Sequence, residues 1–192
     1  MKHALPTALA ALLAGTAPAL AHLPPGEYGS FAAGVTHPLF GLDHVLAMLA
    51  VGLWAAQLGG RALIALPLAF VAAMLAGFGL ALAGAPLPFV EPAILASIIV
   101  LGVAVAIALK PARSTAMLVV AGFALFHGHA HGGELGGAQA LEFGLGFGLA
   151  TAALHAAGIG LAVIAMRALR GGLPLRALGG ITSAAGLFLA FG

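Results

Sequence analysis

The 192-residue chain is too apolar for a water-soluble domain, because hydrophobic residues make up 62% of it, charged residues only 6%, and the mean hydropathy is +1.17. Soluble domains carry about 25% charged residues, so the lipid bilayer is its expected surrounding. The seven basic residues are dispersed, which excludes a nucleic-acid-binding patch, and the absence of cysteine excludes disulfides and thiolate metal sites.

The first 21 residues are typical of a secretory signal peptide. Lys2 supplies the positive n-region, residues 4–14 form the apolar core, and residues 19–21 (Ala-Leu-Ala) give the small-x-small pattern of a cleavage site. We predict a cleavable signal peptide over residues 1–21 and a single transmembrane domain over residues 22–192, in a bacterial inner (plasma) membrane. An uncleaved first helix is the alternative, and both place the segment that begins at His22 outside.

Six apolar spans follow a short external segment, residues 22–36, which its prolines and glycine keep non-helical. Spans of about twenty residues cross about 30 Å of hydrocarbon. We therefore predict an all-α, polytopic membrane helix bundle whose six transmembrane helices cover residues 38–58, 62–83, 93–109, 114–131, 141–166 and 175–191. The fifth span carries small residues that predict a close approach of helices: Gly144, Gly148, Thr151, Gly158 and Gly160.

In this predicted topology, the basic and the acidic residues lie towards opposite sides of the membrane. All seven basic residues fall on the cytoplasmic side, as the positive-inside rule requires: Lys2, Arg61, Lys110, Arg113, Arg167, Arg170 and Arg176. The five acids fall outside or in the outer half of the membrane: Glu27, Asp43, Glu91, Glu134 and Glu142. Acids contribute little to topology, so their segregation indicates a mouth that attracts cations.

The first candidate for chemistry is the segment His-Pro-Leu-Phe-Gly-Leu-Asp-His, residues 37–44, at the outer end of the first span. His37 and His44 are seven residues apart, which places them on one face of a continuous helix. Asp43 adjoins His44, and an ionised carboxylate at membrane depth requires a cation or a hydrogen-bond donor. This segment is therefore predicted to supply part of a metal site.

The second candidate is the segment Phe-His-Gly-His-Ala-His-Gly-Gly-Glu, residues 126–134, at the outer end of the fourth span. His127 and His131 lie one helical turn apart on one face, the spacing by which a helix offers two imidazoles to one metal ion. Helical rise places His44 about 25 Å and His131 about 27 Å above the cytoplasmic ends of their spans. The two segments thus share a layer in the outer third of the membrane.

Three other histidines are placed differently. His129 points away from the face of His127 and His131. His22 would become the mature N-terminus, where its amine and imidazole could chelate a metal ion. His155 lies lower in the membrane, and the sequence leaves open whether it makes a hydrogen-bonded helix contact or takes part in metal passage.

The types of ligand restrict which metal ions the site can bind. Imidazole and carboxylate without thiolate suit nickel, cobalt, zinc or iron, whereas magnesium and calcium prefer oxygen. No Gly-rich phosphate loop occurs, so we predict no ATP-binding site in this chain. The metal is expected as cargo rather than as a prosthetic group.

The two segments resemble the two signatures of the HupE/UreJ nickel permeases, and the resemblance covers essentially the whole mature chain. The matching residues are His37-Pro38-x-x-Gly41-x-Asp43-His44 and Phe126-His127-Gly128-x-Ala130-His131-Gly132-x-Glu134. The resemblance implies nickel uptake for hydrogenase or urease, with the first segment selecting the metal and no enzymatic activity. Carried over residue by residue, it implies as functional residues His37, Asp43, His44, His127, His131 and Glu134, while His129 occupies a variable position.

A permease that captures a divalent transition metal, nickel or else cobalt, is the preferred function. One observation counts against it, because the cytoplasmic half offers few polar groups below the site: Thr151, His155 and Gln57. An intramembrane zinc-dependent hydrolase, in which the ion activates water, is the alternative. A non-transporting assembly subunit is a third. Retention of the ion after purification separates an enzyme from a carrier, whose ion must exchange.

Overall fold

A computed structural model describes residues 25–168 and 172–192, so that the predicted signal peptide and His22 lie outside the described residues. The described residues form seven α-helices: α1 (Pro25–Phe40), α2 (Leu42–Leu58), α3 (Ala62–Leu82), α4 (Val90–Ala106), α5 (Arg113–Gly133), α6 (Ala140–Ala168) and α7 (Leu173–Phe191). The prediction of an all-α fold is confirmed.

Helix length and composition support a multi-pass membrane bundle. Three helices, α3, α6 and α7, are long and apolar enough to cross a membrane, and α1 with α2 adds a fourth crossing if that bent pair is one span. Helix α4 is apolar but has only 17 residues, and the last turns of α5 carry three histidines. Six spans therefore stay a prediction.

The first predicted span is the part of the sequence interpretation that is wrong. Instead of one helix over residues 38–58, the chain breaks at Gly41, whose backbone is extended (φ −93°, ψ 109°), and α1 and α2 meet at 84°. The predicted non-helical external segment is largely helical, because α1 covers most of it, with a break at Gly29 (φ 77°, ψ 159°); the 84° bend is that between residues Gly29–Phe40 and α2. Pro25 lies in its first turn, where the missing N–H of proline costs nothing, so the proline does not prevent a helix.

The other predicted helices are close to the observed ones, with one shift. Helix α4 begins at Val90 instead of residue 93 and ends at Ala106 instead of residue 109. Its end is set by Ala108, which adopts a left-handed conformation (φ 55°), while the N–H of Leu109 donates to the carbonyl of Ala104. The sequence contains no glycine or proline at this point to indicate that turn.

Close backbone contacts between glycines hold the bundle together. Helix α3 packs mainly on α5, α4 on α7, and both α1 and α2 on α6. In each of these four pairs, each helix has one glycine at which an added Cβ would collide with the backbone of the other helix. The glycines are Gly77 and Gly128, Gly102 and Gly179, Gly34 and Gly146, and Gly52 and Gly158. Small residues permit such an approach in membranes, where packing replaces the hydrophobic effect between helices.

The predicted small-residue stripe on α6 is confirmed at only one glycine. Gly158 lies against the backbone of α2, whereas Gly160 faces open space. Gly144 and Gly148 are near side chains only, and Thr151 donates a hydrogen bond to the Sδ atom of Met74, 3.4 Å away. The close approach to α1 is made by another glycine, Gly146, which lies two residues from Gly144 and Gly148 and so on the opposite face of the helix.

Side-chain burial matches a lipid-facing exterior and a packed interior. Helix α2 is largely buried and contacts five other helices, and its Trp54 is among the largest fully buried side chains. Large apolar side chains point outward from the surrounding helices, for example Leu68, Leu118 and Ile164. Many exposed apolar side chains on one surface indicate contact with a membrane. The bundle thus presents hydrocarbon to lipid and, among the described residues, buries five histidines: His37, His44, His127, His131 and His155.

Candidate metal centre

Four histidine rings of the two predicted segments meet at one end of the bundle. The ring centroid of His131 lies 4.6 Å from that of His37 and 4.3 Å from that of His44. The ring of His44 lies 4.9 Å from that of His127. All four residues are buried. Since His37 and His44 do not share a helix face, their convergence comes from the bend at Gly41, which brings α1 and α2 to α5 from two directions.

Three residues of the cluster bring their ligand atoms within 4.8 Å of one another: His37, His131 and Glu134. His37 Nε2 lies 3.1 Å from Glu134 Oε2, and His131 Nδ1 lies 3.8 Å from the same oxygen. The Glu134 side chain is 49% exposed, whereas the two rings are buried. Two imidazoles and one carboxylate at this spacing match the ligands that nickel, cobalt and zinc accept.

Asp43 lies outside this group of three and acts on His44. Its Oδ1 accepts a hydrogen bond from His44 Nδ1 at 2.9 Å, and a second from the backbone N–H of His44 at 2.9 Å. The proton of the ring is therefore on Nδ1, which leaves the lone pair on Nε2. His44 Nε2 is buried and has no hydrogen-bond partner. A histidine fixed by a carboxylate in this way is a common arrangement around bound metal ions.

His127 is fixed by a residue that the sequence did not reveal. Ser97 of α4 donates its hydroxyl proton to the carbonyl of Ile94 at 2.6 Å, so its oxygen accepts from His127 Nε2 at 3.0 Å. The lone pair of His127 is then on Nδ1, which is buried without a hydrogen-bond partner. The one signal in the sequence is that Ser97 is an isolated hydroxyl within an otherwise apolar run.

Aromatic side chains surround the cluster. Phe147 lies 4.2 Å from the ring of His131, and Phe143 lies 5.4 Å from that of His37. Phe70 lies 5.6 Å from the ring of His127. These rings give the cluster apolar surroundings, and a low local dielectric constant strengthens electrostatic interactions. Their positions in apolar spans gave no signal of this role.

Below the cluster, the buried polar groups are sparse. The ring of His155 lies 4.9 Å from Phe70, and neither of its nitrogens has a hydrogen-bond partner. The hydrogen-bonded helix contact considered from the sequence is therefore not formed. Gln57 Nε2 donates to the carbonyl of Val105 at 2.9 Å, while its Oε1 is buried without a partner.

His129 points elsewhere, as its helical phase predicts. Its Nε2 donates to the carbonyl of Ala85 at 2.8 Å, in the connection between α3 and α4. Two glycines of the same segment have packing roles, because an added Cβ at Gly128 or Gly132 would meet the backbone of α3. In the second segment, His127 and His131 therefore face the cluster, while the glycines that follow them, Gly128 and Gly132, pack against α3.

The fold and the cluster define a class of protein: a multi-pass membrane helix bundle with buried imidazole groups and adjoining carboxylates at one end. Comparison with known proteins gives the family. The family model described as "HupE / UreJ protein" matches residues 9–189. The chain is 44% identical to Protein HupE of Rhizobium leguminosarum bv. viciae over 158 residues, which is 81% of either chain. No solved structure matches it.

The chain belongs to the HupE/UreJ family, a nickel-transport family of membrane proteins whose members are transporters and not enzymes. The resemblance inferred from the two segments is therefore confirmed.

Proposed function

We propose that this chain is a permease that takes up nickel, or else cobalt, through a His/Asp/Glu site in the outer third of a bacterial inner membrane. The metal would be delivered to a nickel enzyme such as hydrogenase or urease. The observation that carries the proposal is the convergence of four buried imidazole rings with Glu134 at the end of the bundle where the acids collect. Family membership favours the permease over the zinc hydrolase.

In this proposal, the ion enters at the exposed carboxylate of Glu134 and is bound by His37 and His131, the three residues with convergent ligand atoms. The lone pairs of His44 Nε2 and His127 Nδ1 lie deeper along α2 and α5 and offer the next ligands. Glu134 reduces the cost of removing a hydrated cation from water, because it supplies an opposite charge. Asp43 orients His44 and adds a second negative charge near the ion.

The proposed route continues past Phe70, whose ring contacts both His127 and His155. His155 is the next unpartnered imidazole below the cluster. The helices must move to let an ion pass, because Phe70 is fully buried and the glycine contacts pack the helices tightly. Alternating access by such a rearrangement is common in membrane transporters.

We also propose six crossings, with the mature N-terminus and the histidine cluster outside and the basic loops in the cytoplasm. Because the chain has no cysteine, a single cysteine introduced at residue 61, 88 or 113 can be tested without background labelling, with a membrane-impermeant reagent applied to one side of the membrane at a time. Labelling from outside is expected only at residue 88. External labelling at residue 113 would invert the topology and contradict outside capture.

The decisive experiment is uptake of nickel into vesicles that contain only this protein. We expect time-dependent accumulation that empty vesicles lack, that His131→Ala abolishes, and that cobalt inhibits if both ions share the site. A hydrolase would instead retain tightly bound zinc and transport nothing. Absence of both transport and retained metal would favour the assembly subunit.

A further inference from the structure

The end of the bundle opposite the histidine cluster contains a basic cavity. It has a volume of about 250 Å³ and lies between the α2–α3 and α4–α5 connections, where its charged lining residues are Arg61, Lys110 and Arg113. Within the part of the chain that the structure describes, none of these three forms an ion pair. Three cations therefore share one cavity with no acid to balance them.

The local backbone preforms this cavity. Gly59 and Gly60 both have positive φ, 69° and 53°, and turn the chain so that Arg61 precedes α3. On the other side, Trp54 Nε1 donates to the carbonyl of Leu109 at 3.0 Å, which fixes the segment leading to Lys110. Helices α3 and α5 both begin here without a side-chain cap, so the positive ends of two helix dipoles add to the three cations.

An apolar groove continues from the basic cavity into the membrane layer. It has a volume of about 300 Å³, begins at Pro111, which also lines the basic cavity, and runs between α4 and α5 past Val103 and Val119 to Ile99. The groove exists because α4 packs mainly on α7 and α5 mainly on α3, so that these consecutive helices diverge. Its rim residues Val100, Val103 and Ile107 are exposed on the lipid-facing surface.

We propose that the cavity and the groove form one binding site for an anionic phospholipid of the leaflet at the basic end of the bundle. The phosphate lies among Arg61, Lys110 and Arg113, and an acyl chain occupies the groove. A free anion would use only the basic cavity. A zwitterionic lipid such as phosphatidylcholine also carries a phosphate, but the three basic side chains would repel its choline cation, so an anionic lipid is favoured. Pro111 lines both the cavity and the groove and so joins them into one site. Basic pockets between helices at a membrane surface commonly bind lipid head groups.

The purified full chain in detergent tests this site, with native mass spectrometry as the measurement and phosphatidylglycerol and phosphatidylcholine of equal chain length as probes. We expect the protein to retain phosphatidylglycerol about tenfold better. Replacing Arg61, Lys110 and Arg113 together by Gln should reduce this preference to near unity. The control is Arg167→Gln, an exposed basic residue of α6 outside the cavity, which should leave the preference unchanged.

Two further measurements distinguish binding of a whole phospholipid from binding of a free phosphate ion. Val103→Trp fills the groove without altering charge and should weaken phosphatidylglycerol retention. Inorganic phosphate at millimolar concentration should not displace the lipid. Equal retention of the two lipids, equal loss in Arg167→Gln, or full displacement by phosphate with no effect of Val103→Trp would each overturn the proposal. Lys110→Gln alone, at an exposed position, supplies a variant whose folding is not in question and should give a partial loss.

Discussion

Asp43 Oδ1 lies 2.9 Å from His44 Nδ1, so one carboxylate determines which nitrogen of the adjacent ring carries a lone pair. That nitrogen, His44 Nε2, is buried and has no hydrogen-bond partner. The ring itself lies against those of His127 and His131. We propose that Asp43 acts on metal binding through the orientation, tautomer and basicity of the neighbouring imidazole, and that its negative charge would offset that of a cation bound in the cluster.

Replacing the Asp43 carboxylate by an amide of the same shape tests whether its negative charge is needed for nickel uptake. We expect Asp43→Asn to insert normally into the membrane but to lower nickel affinity and uptake by about 10- to 100-fold, because the amide lacks the charge and can donate to the ring nitrogen, shifting the ring proton to Nε2. Uptake into vesicles and protein level in membranes are the measurements. Glu142→Gln, an exposed acid at the same end of the bundle, is the control and should retain uptake. Equal losses in both variants would indicate a general surface effect.

Ser97 provides the corresponding test for His127. Ser97→Ala removes the acceptor of the Nε2 proton, so the ring is no longer fixed in the tautomer that leaves Nδ1 free. We expect nickel affinity to fall by about tenfold, measured by equilibrium binding to the purified protein. Ser183→Ala on α7, also at a buried serine but without a contact to the cluster, should bind nickel normally. Normal binding by Ser97→Ala would contradict the assigned role.

How much the sequence predicts differs between the two segments. In the second, His127 and His131 are one turn apart on an uninterrupted helix, so their shared face and the outward phase of His129 follow from helical period alone. In the first, the same argument fails, because a glycine inside an apolar run does not reveal an 84° bend. On its side of the bend, α1 packs against α6, a tertiary contact that the local sequence does not indicate. Ser97 and Phe147 likewise reach the cluster only through packing.

Gly41 tests whether the Asp43–His44 pair needs the space that a glycine leaves at this break. Its φ of −93° is open to any residue, so alanine would not strain the backbone. An added Cβ would, however, lie 2.8 Å from Asp43 Oδ1 and 3.0 Å from His44 Nδ1, which forces the pair apart. We expect Gly41→Ala to lose most nickel uptake while the thermal stability of the protein changes little. Gly122→Ala, at an open position on α5, should keep full uptake, and a similar loss there would refute the explanation.

His129 and His131 should behave differently although they are two residues apart. His131→Ala removes a ring that contacts both His37 and His44, and we expect no measurable uptake. His129→Ala removes a hydrogen bond to the carbonyl of Ala85, which should lower the free energy of unfolding by about 1 kcal/mol and leave nickel affinity unchanged. Isothermal nickel titration and thermal unfolding of both variants measure this. An inactive His129→Ala beside an active His131→Ala would mean that the wrong helix face has been assigned.

Nickel uptake should depend on external pH through direct competition between protons and the metal. Only neutral imidazole binds a metal ion, and free histidine titrates near pH 6.5. Uptake should therefore be highest at neutral to alkaline external pH and fall as the pH drops, because protons then occupy the ring nitrogens that bind the metal ion. If both species compete for the same nitrogens, a tenfold increase in nickel moves the midpoint to lower pH, by about 1 unit when one proton is displaced and about 0.25 unit when four are. The measurement is the initial rate of uptake between about pH 5 and 8 at two nickel concentrations, with His129→Ala as a control that should share the wild-type midpoint. A midpoint that does not move with nickel would mean that the histidines are not direct ligands.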